Sequence, residues 1–136
     1  MKIDVKKLKE LKVGILYLLG SEARGNTTSL SDVDIGIVFT DALILNNSLE
    51  IYDKFYHFFV KIYPSKKEVD IVFLQNSPIS LQFEAVVEGK VLYEVSSNFR
   101  ADYTEEVLRE YLDFEPLLRE LDKTTLEAFS EENSFK

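Results

Sequence analysis

Three aspartates and one glycine–serine pair are the residues of this chain whose types and spacing suit chemistry. Asp32 and Asp34 stand two apart in Ser31-Asp32-Val33-Asp34, and Asp70 stands between Val69 and Ile71 in an otherwise apolar run. Side chains alternate along an extended strand, so Asp32 and Asp34 project from one face and can share metal ions. Magnesium is small and hard, and it is held by one or two carboxylates while water and phosphate oxygens complete its shell. Such a pair is therefore a place to hold a nucleotide's phosphates. If the strand of Asp70 lies beside theirs, three acids converge, which suits two metal ions roughly 3.5–4 Å apart. An Asp-x-Asp pair alone also describes the solvated start of a strand. Asp70 is harder to explain that way.

Gly20-Ser21 precedes these acids, at the point where an apolar run gives way to polar residues. A turn without a side chain there lets backbone amides and the Ser21 hydroxyl approach phosphate oxygens. Packing or capping of a strand-to-helix turn explains the same pair. Arg24 can steady phosphate charge or pair with a local acid. The single histidine, His57, stands among aromatic residues and reads as a packing or surface residue. No Walker lysine pattern occurs.

These residues need strands to position them. Val13 to Leu19 is a continuous apolar run, the signature of a strand buried on both faces. Val33, Ile35, Ile37 and Phe39 alternate with Asp34, Gly36 and Val38, which predicts a two-faced strand whose polar face begins with the aspartates. Val69, Ile71 and Phe73 share one face of a third strand, with Asp70, Val72 and Leu74 on the other. Lys90 to Glu94 is a short closing strand.

Helices intervene. Val5, Leu8 and Leu11 have helical spacing ahead of the first strand. Gly20 opens onto a further helix. Tyr52, Phe55, Tyr56, Phe59, Val60 and Tyr63 repeat at three and four from an N-cap at Ser48, until Pro64 stops the helix. Ser77-Pro78 reads as N-cap and first helical residue of a helix over Ile79 to Glu88, followed by Gly89. Asp102 and Glu105 have capping-box spacing at the start of a C-terminal helical segment over about 102–122. Val107, Tyr111, Phe114, Leu118 and Leu121 form its stripe, which either packs on its own domain or docks a partner. A kink or restart is expected near Pro116, and fraying over 130–136. The alternation predicts an α+β or α/β sandwich whose sheet is covered by helices.

The 136 residues suit a single domain over 1–136, with no room for a second substrate-binding domain. No cysteine is present, which excludes disulfides and thiolate metal sites. No apolar run approaches the roughly 20 residues of a spanning helix, so no membrane role is expected. Met1-Lys2-Ile3-Asp4 mixes charges unlike a secretory signal, and a cytoplasmic location is expected. The net charge of −8 makes nucleic acid an unlikely partner and suits a basic protein, although acidity also simply keeps a small domain soluble.

Gly20-Ser21, Arg24-Gly25, Ser31-Asp32, Asp34 and Asp70 together resemble the signature of the DNA polymerase β-like nucleotidyltransferases. The Gly-Ser-x-Ala-Arg-Gly run, Ser-Asp-x-Asp, the small size and the segment Glu88 to Glu94 resemble the minimal nucleotidyltransferases known as MNT or MntA antitoxins. The resemblance covers Leu16 to about Leu121. It implies a polymerase β-like α+β fold, a mixed β-sheet covered by helices with the active site on one face, and transfer of AMP from ATP, with pyrophosphate leaving. It also implies that the acceptor is a tyrosine of a partner HEPN-domain toxin, an RNase silenced by the modification, as in a type VII-like toxin–antitoxin system.

By the same resemblance, Asp32 and Asp34 bind two Mg²⁺ ions, and Asp70 binds the catalytic ion and helps deprotonate the acceptor hydroxyl. Gly20 and Ser21 hold the triphosphate, and Arg24 and Ser31 join the nucleotide-binding set. Manganese accepts similar ligands. Two alternatives stay open: neutralisation of the toxin by binding alone, and transfer to a small molecule or an RNA end.

Overall fold

A computed structural model of the chain describes residues 3–20, 33–62 and 68–134, with side-chain surroundings given as far as Leu121 except at Leu118. Helix α1 (Val5–Glu10) is followed by strands β1 (Val13–Leu19) and β2 (Val33–Phe39), and a 3-10 turn (Ala42–Asn47) leads into α2 (Ser48–Val60). Strand β3 (Val69–Phe73), a 3-10 turn (Leu74–Asn76), α3 (Ile79–Glu88), β4 (Lys90–Glu94) and α4 (Ser97–Ser134) complete the order. The strands form one sheet in the order β3-β2-β1-β4, with β2 and β3 parallel and the other pairs antiparallel. The expected mixed sheet is therefore present.

Each face of the sheet has its own core. Val33, Ile35, Ile37 and Phe39 of β2 meet Phe55 and Phe59 of α2 and Leu8 of α1 on one side. Ile15, Tyr17 and Leu19 of β1 meet Leu74, Ala85 of α3 and Tyr103 and Val107 of α4 on the other. β1 is central and flanked by helices on both faces, so all seven of its residues are buried, as the unbroken apolar run requires. Among the described residues no helix is long and apolar enough to cross a membrane.

Element ends differ from the sequence expectations in informative ways. α2 begins at Ser48 itself, directly after the 3-10 turn, with Asn47 in the N-cap position but making no side-chain capping bond. It ends at Val60, and Tyr63 and Pro64 lie outside the described residues, as does the helix expected after Gly20. α3 spans Ile79–Glu88 as expected, but Pro78 is its N-cap. The Ser77 hydroxyl instead donates to the Phe73 carbonyl (2.9 Å), closing the turn that follows β3.

The C-terminal helix departs most. It starts at Ser97 rather than Asp102, because the Ser96 hydroxyl accepts from the Phe99 amide (3.1 Å) and caps the first turn. It runs to Ser134 without ending at Pro116. A proline removes one amide and the bond to the carbonyl four residues earlier, here Leu112. Leu112 is 61% exposed, so water can take up that carbonyl's bonding and the helix continues.

Candidate active site

The parallel pairing of β2 and β3 sets Asp34 directly opposite Asp70, between the rungs Val33–Val69 and Ile35–Ile71. Adjacent strands lie about 4.8 Å apart, so one rung carries two carboxylates side by side. Both belong to the face covered by α3 and α4, since Val33, Ile35, Val69 and Ile71 fill the core on the α2 side. Asp34 is half-buried and Asp70 is exposed. The rung is thus anchored on one side and open to a second reactant on the other.

Gly20 reaches the same place from β1. The antiparallel register pairs Leu19 with Asp34, and Gly20 follows at the strand's end. Its φ of +65° lies in the left-handed region that favours glycine. A Cβ on Gly20 would stand 3.1 Å from Asp34 Oδ2, so a side chain there crowds the carboxylate as well as straining the backbone. Glycine gives a turn and an acid in close approach, with backbone exposed beside the acid.

Of the residues singled out in the sequence, Gly20, Asp34 and Asp70 are brought together at one end of the sheet. Ser21, Arg24, Ser31 and Asp32 lie outside the described residues. Among the described residues no group of three metal-capable side chains is present, because the third expected acid is one of these. The donor set that is described fits a hard cation: two carboxylates on one rung and one face, beside an open backbone turn. His57 belongs to the opposite layer. It is exposed on α2, with Nδ1 2.8 Å from the Asp53 carbonyl, and takes no part in the site.

Two neighbours of the site escaped the sequence reading. Glu84 and Glu88, on the last turns of α3, line a small cavity of about 20 Å³ together with Leu19, Gly20, Ala85 and Gly89. Helical spacing puts the two glutamates on one side of α3, but only the packing of α3 against β1 brings that side to Gly20. Gly36 lies two residues from Asp34 on the same face. A Cβ there would meet Leu74 Cδ1 at 3.0 Å and Leu19 Cδ1 at 3.1 Å, so glycine lets the layer carrying α3 close over the strand.

The helices behind the site are fixed by a chain of part-buried polar contacts. The Tyr103 hydroxyl donates to Gln82 Oε1 (2.9 Å), and Gln82 Nε2 donates to the Ser77 carbonyl (2.9 Å). Burial pushes the Tyr103 hydroxyl well above the ordinary tyrosine pKa, with the nearby Tyr17, Glu106 and Glu110 acting in the same direction. Burial also raises Tyr17, against the opposing effect of its hydrogen bond with Thr104. Both are held neutral, as structural tyrosines under a helix layer should be.

Residues 2–98 match the family model described as Polymerase beta, Nucleotidyltransferase. No curated protein matches the chain. In fold the chain is similar to a solved toxin–antitoxin structure with AMP-PNP, at TM-score 0.70 and 21% identity, over 90% of this chain and 94% of that one. It is also similar to a toxin–antitoxin structure named MntA–HepT, at TM-score 0.62 and 19% identity over 89% and 95% of the two chains. A structure from Shewanella oneidensis is similar at TM-score 0.61 and 17% identity, over 89% and 91%. The family match spans Gly20, the strands that carry Asp34 and Asp70, and α3, and ends at the start of α4; the chain belongs to the polymerase β nucleotidyltransferase family.

Proposed function

We propose that this nucleotidyltransferase moves AMP from ATP onto a tyrosine hydroxyl of a partner HEPN-domain toxin and so acts as an antitoxin. The observation that carries the reading is the shared rung of Asp34 and Asp70 beside the Gly20 turn. A half-buried acid and an exposed acid on one face suit a reaction whose nucleotide is held by this chain and whose acceptor arrives from outside. The similarity in fold to toxin–antitoxin structures, one of them with AMP-PNP, supports the same reading.

Asp34, Asp70 and, by sequence, Asp32 are the residues that would hold magnesium, which when bound neutralises phosphate charge and makes a hydroxyl easier to deprotonate. Asp34, fixed between buried neighbours, would hold the ion beside the nucleotide's phosphates. The exposed Asp70 faces the incoming hydroxyl and helps take its proton as oxygen attacks the α-phosphorus and pyrophosphate leaves. The backbone at Gly20, followed by Ser21, lies against the triphosphate, with Arg24 and Ser31 completing its binding. Much of the rate comes from alignment of hydroxyl and phosphorus.

The test mixes the chain, the protein encoded beside it, magnesium and ATP labelled on the α-phosphate. Label on the neighbour, lost in Asp34→Asn and in Asp70→Asn while the complex persists, supports the reading. A complex that neutralises the toxin equally well with both substitutions and without label replaces it with neutralisation by binding. Label on a small molecule or an RNA end, and none on the neighbour, replaces the acceptor.

A further inference from the structure

The stripe that packs α4 onto its own domain outruns that domain. Tyr103 and Val107 are 8% and 1% exposed, and the ring of Tyr111 stacks on Phe83 with centroids 3.8 Å apart. The same side of the helix recurs about one turn farther on at Phe114 and about two turns beyond that at Leu121. There the domain no longer covers it: Phe114 is 45% exposed, Leu121 56%, and the flanking Leu117 54%. Leu112 lies at the edge of an open groove of about 730 Å³ between α3 and α4, whose apolar walls are Val86, Ala101 and Leu108.

Charge is segregated onto the same helix. The sequence of α4 holds eleven acidic and four basic residues, a net −7 out of the chain's −8, which leaves the remainder of the chain at −1. Three of those four bases are already engaged, Arg100 with Glu94, Arg109 with Glu105 and Arg119 with Glu115. The projecting stripe is therefore apolar along its centre and acidic around it.

These two observations together select an occupant. A projecting helix has little packing to sustain it in water, and covering its apolar side chains is favourable. A second copy of the chain would bring −7 against −7, and nucleic acid carries the same sign. A protein face with an apolar centre and a lysine- and arginine-rich rim satisfies both the stripe and its border.

We infer that α4 from Leu112 to Leu121 is the docking surface for such a basic protein face, and that the docked protein is the one that accepts the nucleotide. The second half of this inference rests on the proposed function.

The experiment measures binding of the HEPN-fold protein encoded beside this chain to wild type, to Leu117→Glu with Leu121→Glu, and to Glu110→Lys with Asp113→Lys. Binding is followed by titration calorimetry at low and high salt, and α-phosphate label transfer is read separately. The first variant is expected to bind at least about tenfold more weakly with unchanged thermal unfolding of the domain. The charge reversal should bind more weakly and lose much of the salt dependence seen in wild type. Wild-type affinity in both variants, absence of wild-type binding, or a wild-type dimer that the first variant abolishes overturns the inference. Label transferred with unimpaired binding in both variants leaves the transferase reading standing without this surface. Binding lost in the variants, with no label transferred by wild type, leaves the surface standing and removes the transferase reading.

Discussion

Strands β2 and β3 are paired from Val33–Val69 to Ile37–Phe73, yet the two ends of this pairing serve different purposes. At one end Asp34 opposes Asp70; at the other Ile37 opposes Phe73, and Phe39 packs on Phe73 and Phe55 with ring centroids 5.6 and 5.7 Å away. The apolar end is sealed by α2 and by Gln75, whose amide both accepts from the Phe39 amide (2.8 Å) and donates to its carbonyl (3.0 Å). The acidic end is left open beside Gly20. Stability is concentrated where chemistry is absent, so the acids can be placed for a reaction while the far end holds the strands in register.

Substitutions can break that division. The largest effect is expected at the acidic end: Asp34→Asn or Asp70→Asn should lower label transfer by roughly a thousandfold, about 4 kcal/mol of transition-state stabilisation. Circular dichroism should show the fold retained. Phe55→Ala attacks the apolar end and should cost at least about 3 kcal/mol in denaturant unfolding, because Phe55 is fully buried between β2 and α2. Specific activity per folded molecule should hold. A Phe55→Ala protein that stays stable, or a folded one that has lost transfer, would mean that the two ends are not separate.

Gly20→Ala sits between the two cases. A left-handed backbone costs about 1–2 kcal/mol for a residue with a side chain, and the new methyl crowds Asp34 Oδ2. Transfer should therefore fall by more than the loss of stability explains, which parallel unfolding and single-turnover measurements resolve.

A smaller contrast lies between two buried tyrosines. Tyr103→Phe removes a hydroxyl bonded to Gln82 and should cost about 1 kcal/mol. Tyr93→Phe removes a buried hydroxyl that has no hydrogen-bond partner among the described residues and should be neutral or slightly stabilising. Equal losses in the two unfolding curves would contradict this.

The last effect is silent at neutral pH. Tyr17 and Tyr103 have folded pKa values raised by burial, so the fold keeps protons that the unfolded chain releases near the ordinary tyrosine value of about 10. Their contribution is complete below that pH and is lost as pH rises through the folded values, since the unfolded state then binds fewer protons. Tyrosinate absorbance should show a late stage that coincides with loss of helical circular dichroism.

Much of this was legible in the residues. The apolar run Val13–Leu19 could only be a strand covered on both faces, and the alternation in Val33–Phe39 and Val69–Phe73 gave the faces correctly. The C-terminal helix was less legible. Asp102 and Glu105 have the spacing of a cap, but Ser96 supplies the cap because Phe99 must reach over Gly14, where a Cβ would stand 2.3 Å from the ring. At Pro116, where a kink or restart is expected, the helix runs on as one element.

The sequence by itself determined the chemistry on offer: which acids alternate onto one face, where a side-chain-free turn falls, and that one helix carries nearly all the net charge. Periodicity and composition are local properties, and they can be read along the chain. Only the tertiary structure decided which distant residues meet. Strand pairing set Asp34 opposite Asp70, helix packing brought Glu84 and Glu88 to Gly20, and the reach of the domain decided which part of the α4 stripe is core and which remains uncovered. Register and layer packing arise from contacts among all the elements at once, and no single stretch of sequence contains them.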